Sequence, residues 1–272
     1  MIPISLSSFV YLNYPLPEAI RRISQAGFDG IDIWGGRPHA YRKDANQAEL
    51  SEIRQLLGDL NLGVASIIPA QFRYPVSLCS KNEVIRQDSV AYIKDNIQNA
   101  AALGSPVVSV CPGHSLFGQS TTAAWDCLRQ SLDEICLFAA ANSIRIAIEP
   151  ADRYETDLIN NIPDALRIID QLGHENLGVV LDNGHSHVVG EDPAEAAVLA
   201  QDRLFHVHVD DNNGLRDQHL VPGQGSFNFG PFLESLVKSN YQGYLCVELS
   251  WDVTVDPDPA ALQSLKYFKN LS

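Results

Sequence analysis

Four residues of types that hold metals or move protons stand at the ends of apolar alternations. They are Glu149 in I-R-I-A-I-E, Asp182 in V-V-L-D, His208 in F-H-V-H-V-D-D and Glu248 in L-C-V-E-L. Side chains along a strand point alternately to its two faces. In the first run Ile144, Ile146 and Ile148 share one face, while Arg145, Ala147 and Glu149 share the other. Val179 and Leu181 oppose Asp182, and Leu245, Val247 and Leu249 oppose Glu248. In the third run Phe205, Val207 and Val209 oppose His206, His208 and Asp210. Each strand therefore offers one face to a core and ends its other face on a polar group.

Three carboxylates gathered at one place repel one another unless protons or a cation intervene. Three oxygen donors with one imidazole suit Mn²⁺, with Mg²⁺ or Co²⁺ as alternatives, and suit Zn²⁺ less. A lone Asp or Glu at a strand end is more often a cap or a surface residue than a ligand. The coincidence on four strands outweighs that reading, because buried ionised groups are costly without a partner. His206, one pleat deeper, is expected to be a hydrogen-bonded core histidine. A divalent ion flanked by two glutamates suits removal of a proton from carbon beside a carbonyl. Glu149 and Glu248 could act as base and acid, or be ligands only while another residue is the base. Returning the proton to the opposite face of that carbon is epimerisation; returning it to the neighbouring carbon is isomerisation.

The elements that must position these groups are short Val- and Ile-rich runs alternating with amphipathic segments. Strands are expected at 4–10, 30–34, 63–69, 106–112, 144–150, 177–182, 204–210 and 244–249. Between them PEAIRRISQAG, EVIRQDSVAYIKDNIQNAAALG and AAWDCLRQSLDEICLFAAAN read as helices, closing on Gly or Asn as helix ends do. Eight such units predict one (β/α)₈ barrel domain over residues 1–272, with its active site at the C-terminal ends of the strands. A doubly wound sheet fits less well, since no G-x-G-x-x-G follows the first strand. VDPDPA (255–260) reads as a loop leading into the last helix.

Charge narrows the partners. With 19 Lys+Arg against 33 Asp+Glu the formal charge is −14, which argues against nucleic acid and against an anionic membrane surface. Five cysteines without a C-x-x-C pair suggest neither a disulfide framework nor a zinc knuckle. The N-terminal stretch lacks a basic region and an apolar helix, and no apolar run approaches the length of a membrane span. The expectation is a cytoplasmic protein acting on a small molecule.

In this order, I-A-I-E-P, L-D-N-G-H, H-V-H-V-D-D, D-Q-H-L-V-P-G-Q-G and V-E-L resemble the xylose isomerase-like TIM-barrel superfamily. That superfamily holds sugar isomerases and epimerases, inosose-processing enzymes, dehydroshikimate dehydratases and endonuclease IV. The resemblance implies metal ligands at Glu149, Asp182, His208 and Glu248, the two glutamates doubling as catalysts. The finer match is to ketose 3-epimerases. Their E-x-x-N-R-x-E segment appears as E-P-A-D-R-Y-E, which puts Glu155 at a substrate contact, keeps Arg153 and replaces the family Asn by Asp152. His185 also falls on a substrate-contact position, and His219 stands where the family has Arg. His185 and His219 are expected to bond substrate hydroxyls, although His219 could orient a loop or join Asp217 around a second ion. Arg216 is the clearest cation of loop 214–227 and is counted as a substrate contact. His187 is expected to be structural and His114 to be borne on a loop. Trp34 and Phe72 either wall the pocket or simply pack.

The resemblance thus implies a divalent-metal isomerase or epimerase acting on a ketose or polyol ketone, assembled as a homodimer or homotetramer. The glycine-rich loop 214–227 has no helix start with a nearby Lys, which favours an unphosphorylated substrate. The alternatives are a dehydratase on an inosose or dehydroshikimate-like ketone, an endonuclease IV-like phosphodiesterase, and a barrel that binds without turnover. Endonuclease IV has histidines where this chain reads I-I-P-A and Cys111-Pro112-Gly113, so three zinc ions could not be held.

Overall fold

In a computed structural model describing residues 2–71 and 76–271, alternation in the chain becomes a closed parallel barrel. The strands are β1 Ile4–Ser7, β2 Gly30–Trp34, β3 Gly63–Ile68, β4 Val107–Val110, β5 Arg145–Ile148, β6 Leu177–Asp182, β7 Leu204–Val209 and β8 Leu245–Val247. Each pairs in parallel with the next, and β8 closes onto β1. All eight expected strands are present, most of them shorter than read. The first ends at Ser7 because its hydroxyl accepts the Phe9 amide and starts a 3₁₀ turn over Ser8–Tyr11.

Helices connect the strands where the amphipathic segments lie, among them α2 (Gln47–Asp59), α5 (Ile162–Leu172), α7 (Pro193–Ala200) and α8 (Phe229–Lys238). Helices α1 (Leu16–Ala26) and α3 (Glu83–Leu103) end on Gly27 and Gly104, both in the left-handed region, where a side chain would be strained. Helix α4 (Thr121–Ala141) ends on Asn142. The last helix, α9 (Pro257–Leu271), begins inside the stretch expected as a loop. Proline is well placed there, since a first-turn residue needs no amide hydrogen.

Two cores result. Ile146, Ile148, Val179, Leu181, Val207, Val209, Leu245 and Val247 are buried in the layer between barrel and helices, as parity requires. Within the lumen, Val107, Ala147, Val180 and Phe205 form a separate apolar plug. Phe205 corrects the alternation, which had set it opposite the histidines. Val179 pairs with Leu204 but Val180 pairs with His206, so Phe205 is an extra residue in a bulge and turns inward. Arg145 caps that plug, its guanidinium 4.7 Å from the Phe205 ring centre.

Candidate metal centre at the barrel mouth

The ends of β5 to β8 bring Glu149, Asp182, His208 and Glu248 together, with ligand atoms all within 4.8 Å of one another. His208 is the hub. Its Nδ1 lies 2.7 Å from Glu149 Oε1, 3.0 Å from Glu248 Oε2 and 3.9 Å from Asp182 Oδ2. Asp182 also caps α6 (Asn183–Val189), its Oδ1 accepting the Gly184 and His185 amides at 2.6 and 3.1 Å. That leaves Asp182 Oδ2 buried and without a hydrogen-bond partner. An orphaned carboxylate oxygen aimed at two more carboxylates and an imidazole is a donor set that fits a hard divalent cation.

The charges are strongly interdependent. Burial opposes the cationic form of His208, yet Glu149 and Glu248 hold its imidazole well above the ordinary range. Burial also works against ionised Glu248, but His208 outweighs it and lowers that carboxyl. For Asp182 burial wins, reinforced by Asp217 and Glu149, and the carboxyl is raised. A dication would relieve this competition by favouring all three carboxylates ionised.

Beside this group lies a second one, set by loop 214–227 and the start of α6. His219 Nε2 is 2.7 Å from Asp217 Oδ2, and His185 Nδ1 is 3.5 Å from the same oxygen. Glu155, His185 and Asp217 bring ligand atoms within 4.8 Å, as do Asp210, Asp217 and His219. Desolvation alone would depress His185, but Asp217, Asp182 and the two nearby glutamates push it up to about 9. Asp217 is brought down to about 2 against its own burial by His219 and His185. His219 adopts a left-handed backbone at φ 44°, uncommon for a residue with a side chain, and its carbonyl accepts the Ser250 amide at 2.9 Å.

The expected contacts Glu155, His185 and His219 thus gather beside the four-residue group, whereas Arg216 is exposed on the same loop and joins neither group. Asp210, which shares its strand face with His208, approaches His219 Nδ1 at 3.3 Å through Oδ2. His187 bonds Asn212 Oδ1 at 2.8 Å and meets Phe227 edge-on, a structural role. His114 is borne on a loop, 3.6 Å from Asp157. Trp34 packs with Phe9 and Ile68 at the ends of β1 to β3; Phe72 lies outside the described residues.

Two carboxylates escaped the sequence reading. Asp32 sits below the centre, held by Ser5 and Ser66 and 2.7 Å from His206 Nε2. Its signal was present in G-I-D-I-W, the same alternation that marks Glu149. His206 is therefore a buried core histidine, set against the Asp32 carboxylate rather than hydrogen-bonded in regular geometry. Asp211 accepts the amides of Asn212, Gly223, Gly225 and Phe227 and so shapes the V-P-G-Q-G loop. Its position beside Asp210 in H-V-D-D carried no such hint.

Relatives agree with this architecture. A family model described as xylose isomerase-like TIM barrel matches residues 20–271. A fructoselysine 3-epimerase of Shigella flexneri is 27% identical over 257 residues, 94% of this chain and 93% of the relative. An inosose dehydratase of Clostridium botulinum (strain Alaska E43 / Type E3) is 27% identical over 93% of this chain and 88% of its own. The crystal structure of the apo form of a 3-keto-D-glucoside 4-epimerase from E. coli superposes with a TM-score of 0.85 at 22% identity, covering 99% of this chain and all of that one. With the family model spanning nearly the whole barrel, the chain belongs to the xylose isomerase-like TIM-barrel family.

Proposed function

We propose that this chain is a divalent-metal-dependent sugar isomerase or epimerase that removes a proton beside the carbonyl of an unphosphorylated ketose or related oxo-sugar. The observation that carries the reading is the convergence of Glu149, Asp182, His208 and Glu248 at one barrel mouth. Those four residues would hold the ion, Mn²⁺ by the hardness of the donor set. When bound, the ion supplies Lewis-acid polarisation of the substrate carbonyl. Glu149 and Glu248 approach His208 from different strands, so one takes the proton from carbon and the other returns it. Delivery to the opposite face of the same carbon inverts it. Glu155, His185 and His219 bond substrate hydroxyls around the reacting carbons, and Arg216 reaches the substrate only if its loop folds inward. The fructoselysine 3-epimerase relative supports the epimerase form. We further infer a cytoplasmic protein, consistent with its five unpaired cysteines, and a homo-oligomer, as the family resemblance implies.

The test is NMR of ketoses, aldoses and inososes incubated in D₂O with the Mn²⁺-loaded chain. Deuterium at one carbon beside a carbonyl, lost by about 10²-fold or more in Glu149→Gln or Glu248→Gln, is the expected result. The inosose dehydratase relative favours a second reading, loss of water after the same abstraction. A new alkene signal in place of exchange would select it.

A further inference from the structure

Next to the mouth runs a groove of about 1400 Å³, larger than the ~300–1,000 Å³ of ordinary small-molecule sites. Its inner end is Cys111, Ala151 and Glu155. Ala151 stands two residues beyond Glu149, and Glu155 brings an oxygen within 4.8 Å of ligand atoms on His185 and Asp217. The groove therefore continues from the reacting end of the site. Its outer walls carry Val84 of α3 and Leu116 and Phe117 of the loop after β4. These are 79%, 67% and 99% exposed, an apolar surface of the kind that marks a binding groove.

The groove is also built. Thr156 donates to the Gly113 carbonyl at 2.6 Å, and Asp157 accepts the amide and hydroxyl of Ser115. These bonds fasten the loop after β5 to the loop after β4. On the opposite wall the Asn82 side chain accepts the Val84 amide and fixes the first turn of α3. Of the charged residues on the outer lining, Asp88 is already paired with Arg42 at 2.9 Å, and Lys81 is exposed to solvent.

We propose that this groove is a subsite for an uncharged alkyl or aryl substituent on the substrate, so that the preferred ketose is a conjugated one rather than a free monosaccharide. The inference rests on the isomerase reading for what sits at the inner end. The occupant is the substrate's own tail because the groove opens where the sugar would react, and because Val84, Leu116 and Phe117 give its outer walls an apolar surface among the polar lining residues.

The test compares fructose with fructose bearing a benzyl ether at either terminal carbon, by calorimetry on the Mg²⁺-loaded full chain. At least one benzyl ether should bind about tenfold or more tighter than fructose, as burial of an aromatic ring in an apolar groove provides. In Phe117→Ser and Leu116→Ser that preference should fall toward one, while Leu262→Ser, on the far helix α9, should keep it. Equal affinities, or a preference that survives both groove variants, would overturn the proposal. So would light scattering that turns a wild-type dimer into a Phe117→Ser monomer with the preference unmoved, which assigns the face to a second copy. Deuterium exchange separates the two claims. Tail-dependent binding without exchange on any sugar sinks the isomerase reading alone; exchange without tail dependence sinks the subsite alone.

Discussion

A histidine's role is set by what faces each of its ring nitrogens, and this chain offers contrasting cases. His208 meets three carboxylates at the mouth, whereas His39 is locked as a neutral ring under the first turn. The Ser8 hydroxyl lies 3.0 Å from His39 Nδ1, and the Tyr14 carbonyl 3.1 Å from Nε2, so Nε2–H donates and Nδ1 accepts. Burial holds this imidazole below its ordinary value despite the carbonyl. The unfolded chain then takes up a proton first, near pH ~6.5. His39 therefore contributes stability above that pH and loses it as pH falls through the lower folded value. Urea unfolding at about pH 7.5 and about pH 5.5 checks this: His39→Gln should lose less stability between the two than wild type. An equal loss in both would remove His39 from the account.

At the scale of elements, the bulge in β7 shows how one strand's irregularity depends on its neighbour. Phe205 can turn into the lumen only because β6 presents Gly178 there. A Cβ on Gly178 would run into the Arg203 carbonyl and the Phe205 ring. The carbonyl is backbone and cannot rotate away. Gly178→Ala is accordingly expected to destabilise the chain by about 1–3 kcal/mol through overpacking. Its midpoint in urea should fall without a change in slope, and an unaltered midpoint would mean the bulge can relax. The displaced residue has a second effect. With Phe205 absorbed as the extra residue, His206 and His208 keep their inward direction and stack edge-on at 5.0 Å.

For the whole molecule, the centre joins the ends of four consecutive strands on one side of the barrel. An ion there would tie β5, β6, β7 and β8 together, and a ligand that binds only the folded state raises stability by mass action. At about a hundredfold excess over its dissociation constant, Mn²⁺ is worth about 2.7 kcal/mol. Chelation should lower the melting temperature, Mn²⁺ should restore it, and Glu248→Gln should blunt the response. A melting temperature indifferent to chelator and to Mn²⁺ would count against the centre, whatever the activity. The same scale explains the substrate groove, which no single loop forms.

Much of this was legible from residue order alone. Eight strands, their outward apolar faces and the inward Glu149, Asp182, His208 and Glu248 follow from the two-residue repeat of a strand, which needs no knowledge of distant neighbours. Helix ends at Gly27, Gly104 and Asn142 were equally local. What only the tertiary structure decided depends on which segments meet. The bulge at Phe205 needs the space over Gly178, Asp210 turns to His219 because loop 214–227 folds back over the mouth, and Asp32 gains its meaning from Ser5, Ser66 and His206 on other strands. Alternation tells a side chain which face to take; the partner waiting there is set by barrel closure, which brings together residues far apart in the chain.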